Sequence, residues 1–245
     1  MEKGEKDIVY LYSLFFKVLS YVSIFEGIEF LNKKFAIFKP GFTRKTRVEL
    51  WVFLNFVLSM AAMFIVYLFD EAAWFSYILL GYGVLRTFEI VITQVNILLF
   101  DQYRAELKKK KAIRQARDRR DWIAEKALRK KAAYQLVGFR RMTILLIHNF
   151  FEIIFWFAVC YLVSAQSFNI DTDIHNPLSQ ALYISFVTMT TFGQANFGIK
   201  DQVSISLIAV QSFIGLVMTL LTFARFVSLL PGITSKDSHE NDENQ

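Results

Sequence analysis

The sequence is poor in the residues that usually form disulfides, metal sites and catalytic centres. Cysteine occurs once, at Cys160, so a disulfide within the chain is excluded. Histidine occurs three times, and neither a phosphate-binding loop nor a dinucleotide-binding fingerprint is present. Because an active site needs convergent nucleophiles, acids or metal ligands, we expect that the protein is not an enzyme and uses no cofactor.

Long apolar runs, in contrast, dominate the chain. Apolar residues make up 54% of it, with 26 phenylalanines, and they form blocks rather than alternating faces. A helix of about 20 apolar residues crosses the hydrocarbon core of a bilayer. The composition therefore predicts an all-α integral membrane protein with four blocks of sufficient length, at residues 50–69, 75–100, 143–165 and 203–230.

The first 49 residues are predicted to form an N-terminal amphipathic, interfacial segment followed by a basic loop. Between residues 8 and 31, polar side chains recur every three or four positions, as on one face of a helix; they are Ser13, Lys17, Ser20, Ser23 and Glu26. Such an amphipathic helix can lie flat in the interface, and a basic loop follows it. A second interpretation stays open, in which the segment crosses the membrane with Lys17 packed against other helices.

The charge distribution sets the expected orientation. Residues 50–100 are predicted to form a two-helix transmembrane hairpin, because only residues 70–74 join its two apolar blocks. That link is acidic, whereas residues 101–142 carry fifteen Lys/Arg against five Asp/Glu, a net charge of +10. By the positive-inside rule, we expect both termini in the cytoplasm if the first segment does not cross the membrane. We further expect the protein in the plasma (cell) membrane.

Residues 101–142 are predicted to form a basic cytoplasmic helical linker. The stretch 101–137 lacks proline and glycine and is rich in good helix formers, so it is expected to prolong the preceding span as one helix. Its surface is either simply solvated or attached to anionic lipid headgroups. The candidate lipid-binding residues are Lys108, Lys109, Lys110 and Lys111. No fold signature of a nucleic-acid-binding protein accompanies them.

Charged residues within the spans are costly and are therefore candidates for function. Arg86 and Glu89 lie three residues apart, and we expect them either to neutralise each other inside the bundle or to make a gating contact. His148 and Glu152 lie four residues apart, which indicates a structural hydrogen bond or a pH-sensitive pair. Gln211, in the last span, either packs behind the filter that is described below or lines the cavity.

Residues 178–198, LSQALYISFVTMTTFGQANFG, connect the last two spans and are too apolar for a simple external loop. They follow Asn176 and Pro177, a favourable helix start, and residues 178–190 are predicted to form a short helix. Thr- and Gly-rich irregular backbone after that helix would leave amides unsatisfied in lipid. Such backbone is tolerated at membrane depth only where it lines water or is buried in protein, so the sequence predicts a re-entrant loop.

Residues 181–196, ALYISFVTMTTFGQAN, resemble the pore helix and selectivity filter of the potassium-channel superfamily, whose filter usually reads TVGYG. The matching positions are Thr188, Thr190, Thr191 and Gly193. Gly215 lies at the spacing of the inner-helix hinge glycine of some two-span members. The resemblance covers about residues 143–230, so residues 143–232 are expected to form a pore module of outer helix, pore helix, filter and inner helix, and residues 233–245 a polar cytoplasmic tail.

The resemblance implies a homotetramer in which each chain contributes one loop to a central pore. Backbone carbonyls of the filter would replace the hydration shell of K⁺ or Na⁺, and no metal site beyond that of the permeant cation is implied. The filter residues would be Thr191, Phe192, Gly193, Gln194 and Ala195. Thr188 and Thr190 would belong to the pore helix and cavity, and Gly215 would be a gating hinge. The pore helix would point its negative C-terminal end toward the cavity, which favours a cation there.

Two departures from the family pattern concern the upper filter. Gln194 replaces the aromatic residue that packs behind the filter, and Ala195 replaces the second glycine. A left-handed conformation of an L-alanine costs about 1–2 kcal/mol per subunit, which favours another filter geometry. We therefore expect passive conduction of K⁺ or weakly selective conduction of monovalent cations. The alternative is a non-conducting regulatory or scaffolding subunit that keeps the pore fold.

Restoring the family pattern tests this interpretation. The double change Gln194→Tyr and Ala195→Gly is expected to raise the preference for K⁺ over Na⁺, because the aromatic ring and the glycine support the family's filter geometry. Reversal potentials in mixed K⁺/Na⁺ solutions measure that preference. A strong K⁺ preference of the unchanged protein would contradict the expectation of a weakly selective filter.

Overall fold

The computed structural model describes residues 3–19, 24, 27, 43–69, 74–130, 139–165, 168–170, 176–191 and 197–227. These residues are almost entirely helical, as the composition predicts. In chain order the elements are α1 (Lys3–Leu19), α2 (Arg44–Leu68), α3 (Trp74–Asp118), α4 (Trp122–Lys130), α5 (Phe139–Val163), β1 (Phe168–Ile170), α6 (Pro177–Thr190), β2 (Phe197–Ile199) and α7 (Gln202–Val227).

Among the described residues, four helices are long and apolar enough to cross a membrane, which confirms the four predicted blocks. The segments are Thr46–Leu68 in α2, Trp74–Ile97 in α3, Thr143–Val163 in α5 and Gln202–Ala224 in α7. Each has at least the roughly 20 residues that a bilayer core requires. The protein therefore has the character of a membrane protein.

Helix α5 occupies the centre of the bundle. It contacts α2, α3, α6 and α7, while α2 and α7 each also contact both α3 and α6, so that these four helices surround it. Ile153, Ala158 and Val159 are completely buried, and Trp156 is nearly so. A helix that is apolar on all sides is expected in such a position. Helices α2 and α3 pack mainly against α5 rather than against each other, and residues 70–73 between them lie outside the described part of the chain.

The basic linker is not one continuous helix, which corrects the expectation for residues 101–137. Helix α3 ends at Asp118, Arg120 adopts a positive φ of 58°, and α4 folds back along α3. The Asp121 side chain accepts a hydrogen bond from the Ala124 amide at 3.0 Å, as a helix-capping aspartate does. Propensity alone favours continuation, but this local cap begins a new helix.

Helix α4 is held against α3 by charged side chains. The Glu125 carboxylate accepts hydrogen bonds from Arg129 at 2.7 Å and from Arg117 of α3 at 3.3 Å. These bonds hold the pKa of Glu125 below its ordinary value, and the bond from Arg129 has the largest effect. Lys109 of α3 donates to the Arg129 carbonyl oxygen at 3.2 Å.

Helix α1 packs against α3 where the span of α3 ends. The Asn96 side-chain amide donates to the Phe16 carbonyl oxygen at 2.9 Å, and Arg104 donates to the Ser13 carbonyl oxygen at 3.2 Å. The other side of α1 exposes large apolar side chains, which are Tyr10, Leu11, Tyr12, Leu14, Phe15 and Val18. Most of residues 20–42 lie outside the described residues, so the interfacial position of segment 8–31 stays a prediction.

Two short strands pair between the end of α5 and the start of α7. Strand β1 follows α5, strand β2 precedes α7, and they pair antiparallel with Asn169 opposite Gly198. The chain therefore leaves α5 and enters α7 at one place. Helix α6 lies between the two strands in sequence and packs against both long helices.

Two glycines of α3 provide a matched test of this packing. A methyl group at Gly83 would lie 2.5 Å from the Trp156 ring of α5, whereas one at Gly81 would meet no atom within 4 Å. We expect Gly83→Ala to destabilise the fold by about 1–3 kcal/mol through overpacking. Gly81→Ala should leave stability unchanged or slightly raised, because alanine is the better helix former. Thermal unfolding in detergent compares the two, and equal melting temperatures would contradict the packing of α3 on α5.

Candidate functional site

Helix α6 begins where the sequence predicts. Asn176 caps it with its side-chain oxygen, which accepts hydrogen bonds from the amides of Leu178 at 3.1 Å and Ser179 at 3.3 Å. Pro177 occupies the first turn, where its missing amide proton is not needed. The predicted short helix over residues 178–190 is confirmed, with one further residue at its start.

The C-terminal half of α6 reaches the middle of two spans. Ser185 donates a hydrogen bond to the Ile154 carbonyl oxygen at 2.7 Å, and Gln211 donates to the Ser185 carbonyl oxygen at 2.9 Å. Ile154 lies near the middle of the α5 span and Gln211 near the middle of the α7 span. Helix α6 thus begins near the paired strands, where the α5 span ends and the α7 span starts. It extends from there to about the middle of both spans.

Gly215 marks the closest approach between α7 and α6. A methyl group at this position would overlap the Met189 carbonyl oxygen, which belongs to the last turn of α6. The absence of a side chain is what permits this approach. Helix α7 continues without a break through Gly215, so the structure gives this glycine a packing reason, and its role as a gating hinge stays a prediction.

Helix α6 ends in a left-handed residue. Thr191 has φ 55° and ψ 24°, an uncommon conformation for a β-branched residue. Its hydroxyl group donates to the Thr190 carbonyl oxygen at 2.7 Å, and the Thr190 hydroxyl donates to the Phe186 carbonyl oxygen at 2.7 Å. Thr188 is buried, whereas Thr191 is exposed. Four of the five predicted filter residues lie outside the described residues, namely Phe192, Gly193, Gln194 and Ala195.

A buried polar cluster joins α5, α6 and α7 behind α6. The Tyr161 hydroxyl donates to Gln211 Oε1 at 2.7 Å, and Gln211 Nε2 donates to Ser185. Gln211 and Ser185 are completely inaccessible. The structure shows Gln211 buried against α6; a position behind the filter stays a prediction, because residues 192–195 lie outside the described residues. Ser185 and Tyr161 were not predicted, because neither residue type is unusual in a membrane helix.

A second polar cluster joins α3 to α5. Arg86 donates to Glu89 at 2.8 Å and to both carboxylate oxygens of Glu152, at 2.7 and 3.2 Å. The Trp51 ring lies 5.7 Å from the Arg86 guanidinium carbon. The expected pair of His148 with Glu152 is replaced by this cluster, since His148 is hydrogen-bonded to the Ile144 carbonyl oxygen at 2.8 Å. A fork-shaped guanidinium satisfies a buried carboxylate better than an imidazole does.

The four candidate lipid-binding lysines lie on α3 beyond its span. Lys108, Lys110 and Lys111 are exposed, whereas Lys109 contacts α4. Lys108 lies 11 residues after Ile97, about 17 Å along a helix axis. The headgroup layer takes up about 5–8 Å of that distance on its side of the bilayer, and lipid binding by these lysines stays a prediction.

Within the described ranges, no group of three or more histidine, cysteine, aspartate or glutamate side chains could hold a metal ion. Comparison with protein-family models, with curated proteins and with solved structures finds no match to this chain.

The contact of Gly215 with Met189 can be tested directly. Gly215→Ala should push α6 away from α7 and destabilise the protein by about 1–3 kcal/mol. Hydrogen–deuterium exchange should then become faster in Pro177–Thr190, because this helix loses its close contact with α7. The matched control is Leu216→Ala, which changes an exposed side chain of the same turn. Unchanged exchange in α6 of the Gly215→Ala protein would contradict the close approach.

Proposed function

We propose that this chain is one subunit of a homotetrameric cation channel. In this proposal α5, α6 and α7 form a pore module as outer helix, pore helix and inner helix, and residues 191–195 line the pore. Monovalent cations, K⁺ or Na⁺, pass through passively while backbone carbonyl oxygens replace their water. Helices α2 and α3 would form the preceding hairpin, with both termini in the cytoplasm.

One observation carries this proposal, which is the depth that α6 reaches. A helix that ends half-way along two membrane spans must continue with backbone whose polar groups need partners other than lipid. The chain from Thr191 to Phe197 starts at that depth and returns to the strand beside β1. A water-filled pore shared by several subunits supplies such partners, and the resemblance of residues 181–196 to a pore helix and filter agrees with it.

The electrostatics of α6 also favour a cation. Its C-terminal end lies at mid-span, and a helix carries about half a negative charge at that end. Thr190 and Thr191 add hydroxyl oxygens there. None of the last three residues of the helix is charged. No side chain of this turn therefore opposes the negative potential.

Subunit counting and planar-bilayer recording test the proposal together. The purified protein should be a tetramer in detergent and should conduct K⁺ and Na⁺ with a reversal potential near zero when the two ions face each other across the bilayer. Gln194→Lys is the control, because four added positive charges in the pore should abolish the current while the tetramer remains.

The outcomes separate the candidate functions. A monomer, or currents that Gln194→Lys leaves unchanged, would contradict the channel. A tetramer that carries no current would instead favour the non-conducting pore-fold subunit.

A further inference from the structure

Tyr161, Gln211 and Ser185 form one chain of hydrogen bonds, and Thr188 of α6 also bonds to the Tyr161 hydroxyl group. The Gln211 amide nitrogen donates to the Ser185 carbonyl oxygen at 2.9 Å and to the Ser185 hydroxyl oxygen at 2.8 Å. The Gln211 carbonyl oxygen accepts the Tyr161 proton at 2.7 Å, and the Ser185 hydroxyl proton goes to the Ile154 carbonyl oxygen at 2.7 Å. Each bond therefore depends on the orientation of the next one.

This chain meets α6 on the same face as the Gly215 contact. Ser185 and Met189 lie one turn apart on α6, and their partners Gln211 and Gly215 lie one turn apart on α7. Two contacts one turn apart fix both the rotation of α6 and its position along α7. Met189, which makes the second contact, lies two residues before Thr191. The orientation of α6 therefore sets where the backbone after the helix begins.

Hydrogen bonds can define this position where apolar packing alone does not. Lipid tails are as apolar as the side chains between the helices, so apolar contacts give little reason to prefer one helix position over another. A buried amide that loses its partners remains unsatisfied, which costs far more in the membrane than in water. The polar chain thus resists sliding or rotation of α6.

We infer that Gln211, held by Tyr161, is a positioning residue that fixes α6 through Ser185 and thereby sets the width of the pore at residues 191–195. This inference rests on the proposed channel function. Neither Gln211 nor Tyr161 touches the ion; both act through the backbone of α6.

Permeation of a larger cation is the measurement that separates positioning from stability. Gln211→Met keeps the length of the side chain but cannot form the hydrogen bonds. We expect it to raise the permeability of methylammonium relative to K⁺ by about two- to tenfold, which corresponds to roughly 0.4–1.4 kcal/mol in the relative barriers for the two ions. Reversal potentials of the tetramer in planar bilayers give this ratio, and melting temperatures are recorded in parallel.

A pair of tyrosine variants provides the matched control. Tyr161→Phe removes the hydroxyl group that orients Gln211, whereas Tyr82→Phe removes one that bonds Asn55 between α3 and α2. Both lose a hydroxyl group that bonds to another helix, and the Tyr161 hydroxyl group also bonds to Thr188 of α6. Only Tyr161→Phe should change the methylammonium ratio. Because it removes a single oxygen atom, Tyr161→Phe also serves as the test if Gln211→Met fails to assemble.

The double variant tests whether Tyr161 acts through Gln211. Once Gln211 is replaced, removal of the Tyr161 hydroxyl should have no further effect, so the double variant should match Gln211→Met alone. Independent, additive changes would overturn the inference. The inference would also be wrong if wild type, Tyr161→Phe and Gln211→Met all conduct with the same permeability of methylammonium relative to K⁺. The proposal of a channel would not be affected by that result. A wild-type tetramer that carries no current would contradict both the channel function and the positioning role of Gln211.

Discussion

Polar groups inside the membrane-spanning part of this protein have no water to bind, and this constraint governs how the bundle is built. The chain buries Arg86, Glu89 and Gln211 within its spans and Ser185 on α6 beside them, where unpartnered polar groups are expensive. Each finds its partner on another helix or one turn away. Since apolar surfaces are interchangeable in lipid, these polar contacts are what make the arrangement of the helices specific.

Helix α5 is the element that both polar clusters share. Glu152 connects it to α3 through Arg86, and Tyr161 connects it to α7 and α6 through Gln211. Between these two positions Trp156 packs against Gly83 and the Tyr82 ring of α3. The first half of the protein therefore contacts the proposed pore module along the length of one buried helix, rather than through a loop.

Much of the fold could be predicted from the sequence, because its strongest signals are local. The four apolar blocks and the helix start at Asn176 and Pro177 are read directly from composition and capping chemistry. The turn at Arg120 was missed because its cap, Asp121, is a single residue within a stretch of good helix formers. The partner of Glu152 was missed for another reason: His148 is its neighbour in sequence, while Arg86 becomes its neighbour only when α3 packs on α5. The position of Gln211 likewise depends on tertiary packing that no local pattern encodes.

Helix α3 runs without interruption from Trp74 to Asp118, a length of 45 residues or about 67 Å. It contains no proline, and its two glycines lie near its first turns. This continuous helix connects the end that carries α4 with the turn that carries Arg86. A displacement of α4 that tilts α3 would therefore load the bonds between Arg86 and Glu152 of α5, the helix that also contacts α6.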